Sequence, residues 1–165
     1  MTTLAAAGVL LGTSAAPALA QPADLTPEAM ARHLAEVGTW RFWTRDMGEN
    51  GPVCTEVWRF DADGAATFES GEERVTKRWR TAESDGDRWL YTTAITTNGK
   101  PDCMGSTSDP AEFPREETGF VVLFFNNGNA VLCDPPGTIE GPDGKPARVW
   151  TDEGCWGRLA PLKQG

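Results

Sequence analysis

The side chains that most often carry chemistry are few and scattered. A single histidine, His33, sits beside Arg32 in a segment whose apolar stripe runs through Met30 and Leu34. It falls opposite that stripe and is expected to face solvent. A hydrolytic triad would need a nucleophile and an orienting group within its reach. The serines of Gly105-Ser106-Thr107-Ser108-Asp109 form a polar loop without the strand–elbow–helix context of a hydrolase nucleophile. Asp61-Ala62-Asp63-Gly64 has part of a calcium-loop pattern, but the further alternating ligands and the closing glutamate are missing, so it reads as a hairpin turn. Glu72/Glu73 and Glu116/Glu117 are adjacent pairs. In extended chain each pair points to opposite faces, so neither can share a substrate as glycosidase carboxylates do. No phosphate-binding glycine loop is present. The sequence therefore designates no catalytic residue, no metal ligand and no cofactor.

Cysteine chemistry points elsewhere. Cys54, Cys103, Cys133 and Cys155 are even in number and none are spaced as C-x-x-C, which favours two structural disulfides over a metal or redox site. Three pairings are open. Cys54–Cys103 with Cys133–Cys155 is preferred because the last two lie on segments expected to be neighbouring strands.

The remaining candidates are aromatic and basic. Seven Trp and seven Phe exceed what one interior face of so short a chain needs. The surplus builds a second small core, a lined pocket or an exposed patch. Arg74, Lys77, Arg78 and Arg80 surround Trp79 in a chain of net charge −9. Extended, Thr76, Arg78 and Arg80 share one face, and Val75, Lys77 and Trp79 share the other. This strand is either an outer wall whose arginines pair with Glu56 or Glu69, or an anion-binding patch continuous with Arg41 and Arg45.

The elements that must position these residues follow from pattern and turn chemistry. Residues Leu4 to Ala20 are apolar or small and end in Ala18-Leu19-Ala20, which predicts a signal peptide over residues 1–20 with cleavage before Gln21. Met1-Thr2-Thr3 lacks the usual basic residue, which fits a start site a few residues upstream. Residues 21–165 are the size of one domain, and no later stretch is long and apolar enough to span a bilayer. The acidic balance disfavours nucleic acid and anionic lipid as partners. The protein is expected to be periplasmic or secreted.

Thr26, Pro27 and Glu28 open one helix, and Gly38 ends it. Strands are expected at Thr39–Met47, Val53–Asp61, Ala66–Ser70, Arg74–Thr81, Arg88–Thr97, Phe120–Asn126, Ala130–Cys133, Arg148–Thr151 and Cys155–Leu159. Turns at 48–51, 62–64, 84–87, 98–99 and 127–128 separate many of them. Lys100–Thr118 and the Pro/Gly-rich Asp134–Pro146 are expected as loops. The fold class is mainly β: an antiparallel meander of about eight strands forming a small barrel with one N-terminal helix.

At Gly38-Thr39-Trp40, after the short helix, the chain resembles lipocalins and the wider calycin group. The resemblance implies a small cup for an apolar ligand, with Trp40 closing one end of the barrel beneath Arg148 or Arg158. The chain also resembles the disulfide-bearing barrels of small periplasmic protease inhibitors. Two functions follow. The first is a non-enzymatic module binding a small apolar or amphipathic ligand, lined by Trp40, Phe42, Trp89 and Tyr91. The alternative is a protein-interaction or inhibitor-like module presenting Arg41, Trp43, Arg78 and Arg80, with Trp58 also outward.

Overall fold

A computed structural model describes residues 25–44, 54–141, 143–149 and 154–162. The leader expected over residues 1–20, Arg45, the 48–51 turn and the end of the strand expected at 148–151 lie outside the described residues.

Helix α1 spans Pro27–Val37. Its start is fixed by Thr26, whose hydroxyl accepts a hydrogen bond from the Ala29 amide at 3.2 Å, and by Pro27, whose missing N–H costs nothing there. Gly38, at φ +71°, ends it and returns its N–H to the Leu34 carbonyl. Met30 and Leu34 are fully buried.

Eight strands then form a closed antiparallel barrel. They are β1 (Thr39–Thr44), β2 (Thr55–Phe60), β3 (Ala65–Ser70), β4 (Glu73–Ser84), β5 (Asp87–Thr97), β6 (Glu117–Phe124), β7 (Ala130–Cys133) and β10 (Cys155–Pro161). Consecutive strands are neighbours, as the meander predicted, and β10 closes the ring on β1 with Trp40 opposite Pro161 and Phe42 opposite Leu159. The Asp85-Gly86 turn joining β4 to β5 holds both residues at positive φ (53° and 82°), the geometry a two-residue hairpin requires.

Two expectations need correction. The segment expected as a Pro/Gly-rich loop contains β8 (Gly137–Glu140), which pairs with β9 (Pro146–Val149) in a separate two-stranded sheet. The strand expected at Arg148–Thr151 therefore belongs to this hairpin and not to the barrel wall. Arg148 fastens it outside by donating to the Asp85 carbonyl and the Asp87 carboxylate.

The disulfides are Cys54–Cys103 and Cys133–Cys155, the preferred pairing. The second joins directly opposed residues of β7 and β10. Two disulfides fit an oxidising compartment. Among the described residues no helix is long and apolar enough to cross a membrane.

Helix α1 plugs one end of the barrel. The Thr81 hydroxyl on β4 donates to the Pro27 carbonyl at 2.8 Å, and the Arg88 guanidinium on β5 donates to the Leu25 carbonyl at 2.6 Å. Met30 and Leu34 pack in one cluster with Trp40, Phe60, Trp79, Phe124 and Leu159. Trp40 is fully buried, and its indole N–H donates to the Leu34 carbonyl at 3.1 Å. The cover over Trp40 is His33, edge-on at 5.8 Å between ring centroids, together with Phe124. The Arg148 or Arg158 that the lipocalin likeness implied does not take this place. Arg148 is on the outer hairpin, and Arg158 alternates with the inward Gly157 and Leu159. His33 is thus half-buried, not free in solvent as expected, because the helix crosses the barrel end with both flanks of its apolar stripe in contact.

Candidate functional site

The other end of the barrel, the mouth, is bounded by the end of β1, the start of β2, the β3–β4 turn and the start of β6. Residues 98–116 fold back along it, held by the Cys54–Cys103 disulfide. The Pro101 carbonyl accepts from the amides of Glu72 and Glu73, each at 2.9 Å. Gly71, at φ +58°, makes this docking possible: a Cβ there would lie 2.7 Å from the Asp102 carbonyl carbon and the Cys103 amide nitrogen.

Beneath the mouth, the inner wall carries a stack of rings crossing three strands. Phe42 of β1 stacks on Trp58 of β2 at 4.3 Å, and Trp58 stacks on Phe68 of β3 at 4.0 Å. Lys77 of β4 completes the series, its Nζ 4.2 Å from the Phe68 centroid. Phe120 of β6 and Trp156 of β10 stand edge-to-face at 5.7 Å beside this stack. Gly157 gives room for it, since a Cβ at that position would meet the Phe42 ring at 2.8 Å. Rings at these spacings are in van der Waals contact, so the stack fills the barrel at this level.

Two ionisable side chains point into this aromatic interior. Glu56 shares its strand face with the buried Trp58 and Phe60, and Lys77 shares its face with the buried Trp79. Glu56 accepts a hydrogen bond from the Trp58 indole at 2.6 Å, and the Ser70 hydroxyl is a second donor acting on it. Loss of hydration pushes its carboxyl above the ordinary carboxylate range, against the lowering effect of those donors and of Lys77. Desolvation likewise depresses Lys77, from 10.5 to about 8. Attraction to Glu56 and Glu73 opposes that fall, and the nearby Arg115 adds to it. Glu56 and Lys77 feel one another without a direct ion pair, since none within 4.0 Å joins them.

The structure separates the residues the sequence grouped. Trp40 and Phe42 face inward as expected, Trp40 in the plug and Phe42 in the stack. Trp89 and Tyr91 do not join them. Opposite residues of an antiparallel pair share a face, and Tyr91 lies opposite Arg80 while the buried Thr92 lies opposite the buried Trp79. Trp89 and Tyr91 therefore stack on each other outside the barrel, at 5.7 Å, and Leu90 and Thr92 take the inner face. Gly119 makes the outer arrangement possible, because a Cβ there would meet the Tyr91 ring at 2.6 Å. Trp58, read as an outward surplus aromatic, is 4% exposed and sits at the centre of the interior stack.

Arg41, Trp43, Arg78 and Arg80 all lie on the outer wall, but in two places. Arg80 is held by a two-pronged contact with Glu117, 3.0 and 2.6 Å, and lies 4.1 Å over Tyr91. Arg59 and Arg74 both pair with Glu69. Arg41 lies opposite Val57 and Ala160, and Trp43 lies opposite Arg158. Arg41, Arg78 and Arg158 have no ion-pair partner among the described residues.

Sequence reasoning missed Glu56 and Lys77. By sequence pattern Glu56 is a cross-strand partner for surface arginines, and Lys77 one member of a charged cluster. The available signal was their position: each occupies the apolar side of an alternating strand, Glu56 between Cys54 and Trp58, Lys77 between Val75 and Trp79. Among the described residues no group of three or more His, Cys, Asp or Glu comes together as a metal site.

These features define a small closed β-barrel with a helical plug at one end and a polar-aromatic mouth at the other. Comparison with known proteins finds no matching family model, no matching curated protein and no matching solved structure.

Proposed function

We propose that this protein is an exported, non-enzymatic binding module, periplasmic or secreted, that holds a small apolar or amphipathic molecule at the barrel mouth. One observation carries the reading: Glu56 and Lys77 are turned into an aromatic interior without a direct ion pair. Ionisable groups kept in such a place cost stability, and perturbed groups of this kind concentrate at functional sites. The ring stack fills the barrel below, so the site is the mouth itself, with Trp58, Phe120 and Trp156 as its apolar floor. Trp40, Trp89 and Tyr91, the other expected lining residues, belong to the plug and to the outer wall.

Native mass spectrometry of the protein purified from its host's extracytoplasmic fraction tests the proposal. A bound molecule of defined mass, displaced by apolar probes that quench Trp fluorescence saturably, is the expected result. A bare protein that no apolar probe quenches would remove the reading.

A second reading rests on a separate observation. Arg41, Arg78 and Arg158, without an ion-pair partner among the described residues, carry positive charge on the wall of an acidic protein, with Trp43 beside two of them. This favours an interaction or inhibitor-like module whose outer face meets an acidic protein partner. Replacing Arg41 and Arg158 together would then abolish partner capture and leave the mouth unaffected.

A further inference from the structure

The mouth has a polarity of its own, and this inference rests on the binding reading above. The acidic groups around it are already supplied with donors. Glu56 accepts from the Trp58 indole, and Glu73 accepts from the Thr97 hydroxyl at 3.1 Å. Asp102 accepts from the amides of Met104 and Ser106, both at 2.8 Å. Lys77 differs. An ammonium carries three N–H donors, and none of them meets an acceptor among the described residues. The Phe68 face stabilises its charge but takes no hydrogen bond. Arg115, on the segment crossing the mouth, adds a second positive charge that acts on Lys77. It is fixed by an ion pair with Glu112 at 3.0 Å and by the Phe113 ring beneath it, at 4.6 Å.

We propose that the molecule held at the mouth is an amphipathic carboxylate, its headgroup on the Lys77 ammonium and its apolar body against Trp58, Phe120 and Trp156. A carboxylate supplies the acceptors that Lys77 lacks and relieves its repulsion from Arg115. A quaternary ammonium would add to that repulsion. An alcohol would satisfy one donor and leave the charge unmatched.

The test compares three probes of equal chain length on the full protein: decanoate, decanol and decyltrimethylammonium, followed by calorimetry and Trp fluorescence at pH 6.5. Decanoate is expected to bind about tenfold tighter than decanol or more, the effect of one charge-assisted hydrogen bond, and the ammonium weakest. Lys77→Met should remove the preference for decanoate, with decanol losing only the one hydrogen bond it makes to the ammonium. Lys77→Arg should keep the preference, and near-UV circular dichroism checks that both variants fold. In the parent the preference should fade as the pH rises through about 8, where Lys77 gives up its proton. Equal binding of decanoate and decanol, tighter binding of the ammonium, or a preference that survives Lys77→Met would overturn the headgroup assignment and leave the binding reading standing. Failure of all three probes to bind would overturn both.

Discussion

Replacing Lys77 by Met keeps most of the side chain's length and its apolar contact with Phe68 while removing the charge. In the folded protein the ammonium gives up its proton at about pH 8, against 10.5 for an unhindered lysine. At about 1.4 kcal/mol per tenfold change in proton affinity, the charged form costs the native state about 3 kcal/mol. The sign follows from proton counting. Between pH 8 and 10.5 the unfolded chain holds a proton at this position that the folded chain does not, so stability rises with pH through that window. Above it the Lys77 penalty is absent, and below about pH 8 it is fully present. The variant should therefore be more stable than the parent by about 3 kcal/mol at pH 6.5. The gap should close steadily as the pH approaches 10.5. Urea denaturation of both proteins at half-unit pH steps, with the disulfides intact, reads the difference directly. Losing Lys77 also removes the positive charge that faces Glu56, so the same series on Glu56→Gln/Lys77→Met isolates the lysine. Parallel curves across pH 8 to 10.5, or a less stable variant at pH 6.5, would refute the desolvation account.

Glu56 titrates the opposite way. Its raised pKa means that the parent gains stability relative to Glu56→Gln as the pH falls through the folded value toward 4.5, measurable in the same assay. Gly71→Ala forces a Cβ to within 2.7 Å of the docked Asp102–Cys103 backbone at a positive φ, and should cost about 1–3 kcal/mol in urea midpoint analysis. Trp58→Ala empties the centre of the ring stack and should cost about 3–5 kcal/mol, with loss of the near-UV circular dichroism of the stacked rings. Replacing Cys54 and Cys103 by Ser frees a closure between residues 49 apart, a loss of about 4 kcal/mol on the chain-entropy account. Hydrogen exchange should report the resulting loss of protection chiefly over residues 98–116.

Much of the barrel was legible because local chemistry and global fold agree. Thr26, Pro27 and Gly38 mark the helix ends through side-chain capping and permitted φ, both properties of single residues. The Asp63-Gly64, Asp85-Gly86 and Asn127-Gly128 steps gave hairpins for the same reason, while Asn98-Gly99 leads instead into the long segment before β6, and the Trp40/Phe42 face of β1 was clear because Arg41 occupies the other side. β5 misled because both of its faces are apolar. Trp89 and Tyr91 outweigh Leu90 in size, yet Gly119 on the neighbouring strand leaves room for Tyr91 only on the outside. That information is in β6, not in β5. The site was obscured by a different cause. Glu56 and Lys77 look like surface charges in any count by composition, and only the register that puts Trp58 and Trp79 inside brings them in as well.

Closure of the ring by β1 and β10 has a consequence for how the chain reaches this state. Trp40 meets Pro161 across some 120 residues of intervening sequence, so the joint that completes the barrel cannot form until β10 is available. Until then β1 and β7 each present an unpaired row of backbone donors and acceptors, the template on which strands of different molecules add to one another. A chain that unfolds locally at this joint, or loses β10 to proteolysis, becomes a ribbon with two sticky margins. Its main hazard is then self-association through those margins, and the Cys133–Cys155 bond, lying across one of the two joints β10 makes, is placed to hold that strand in position.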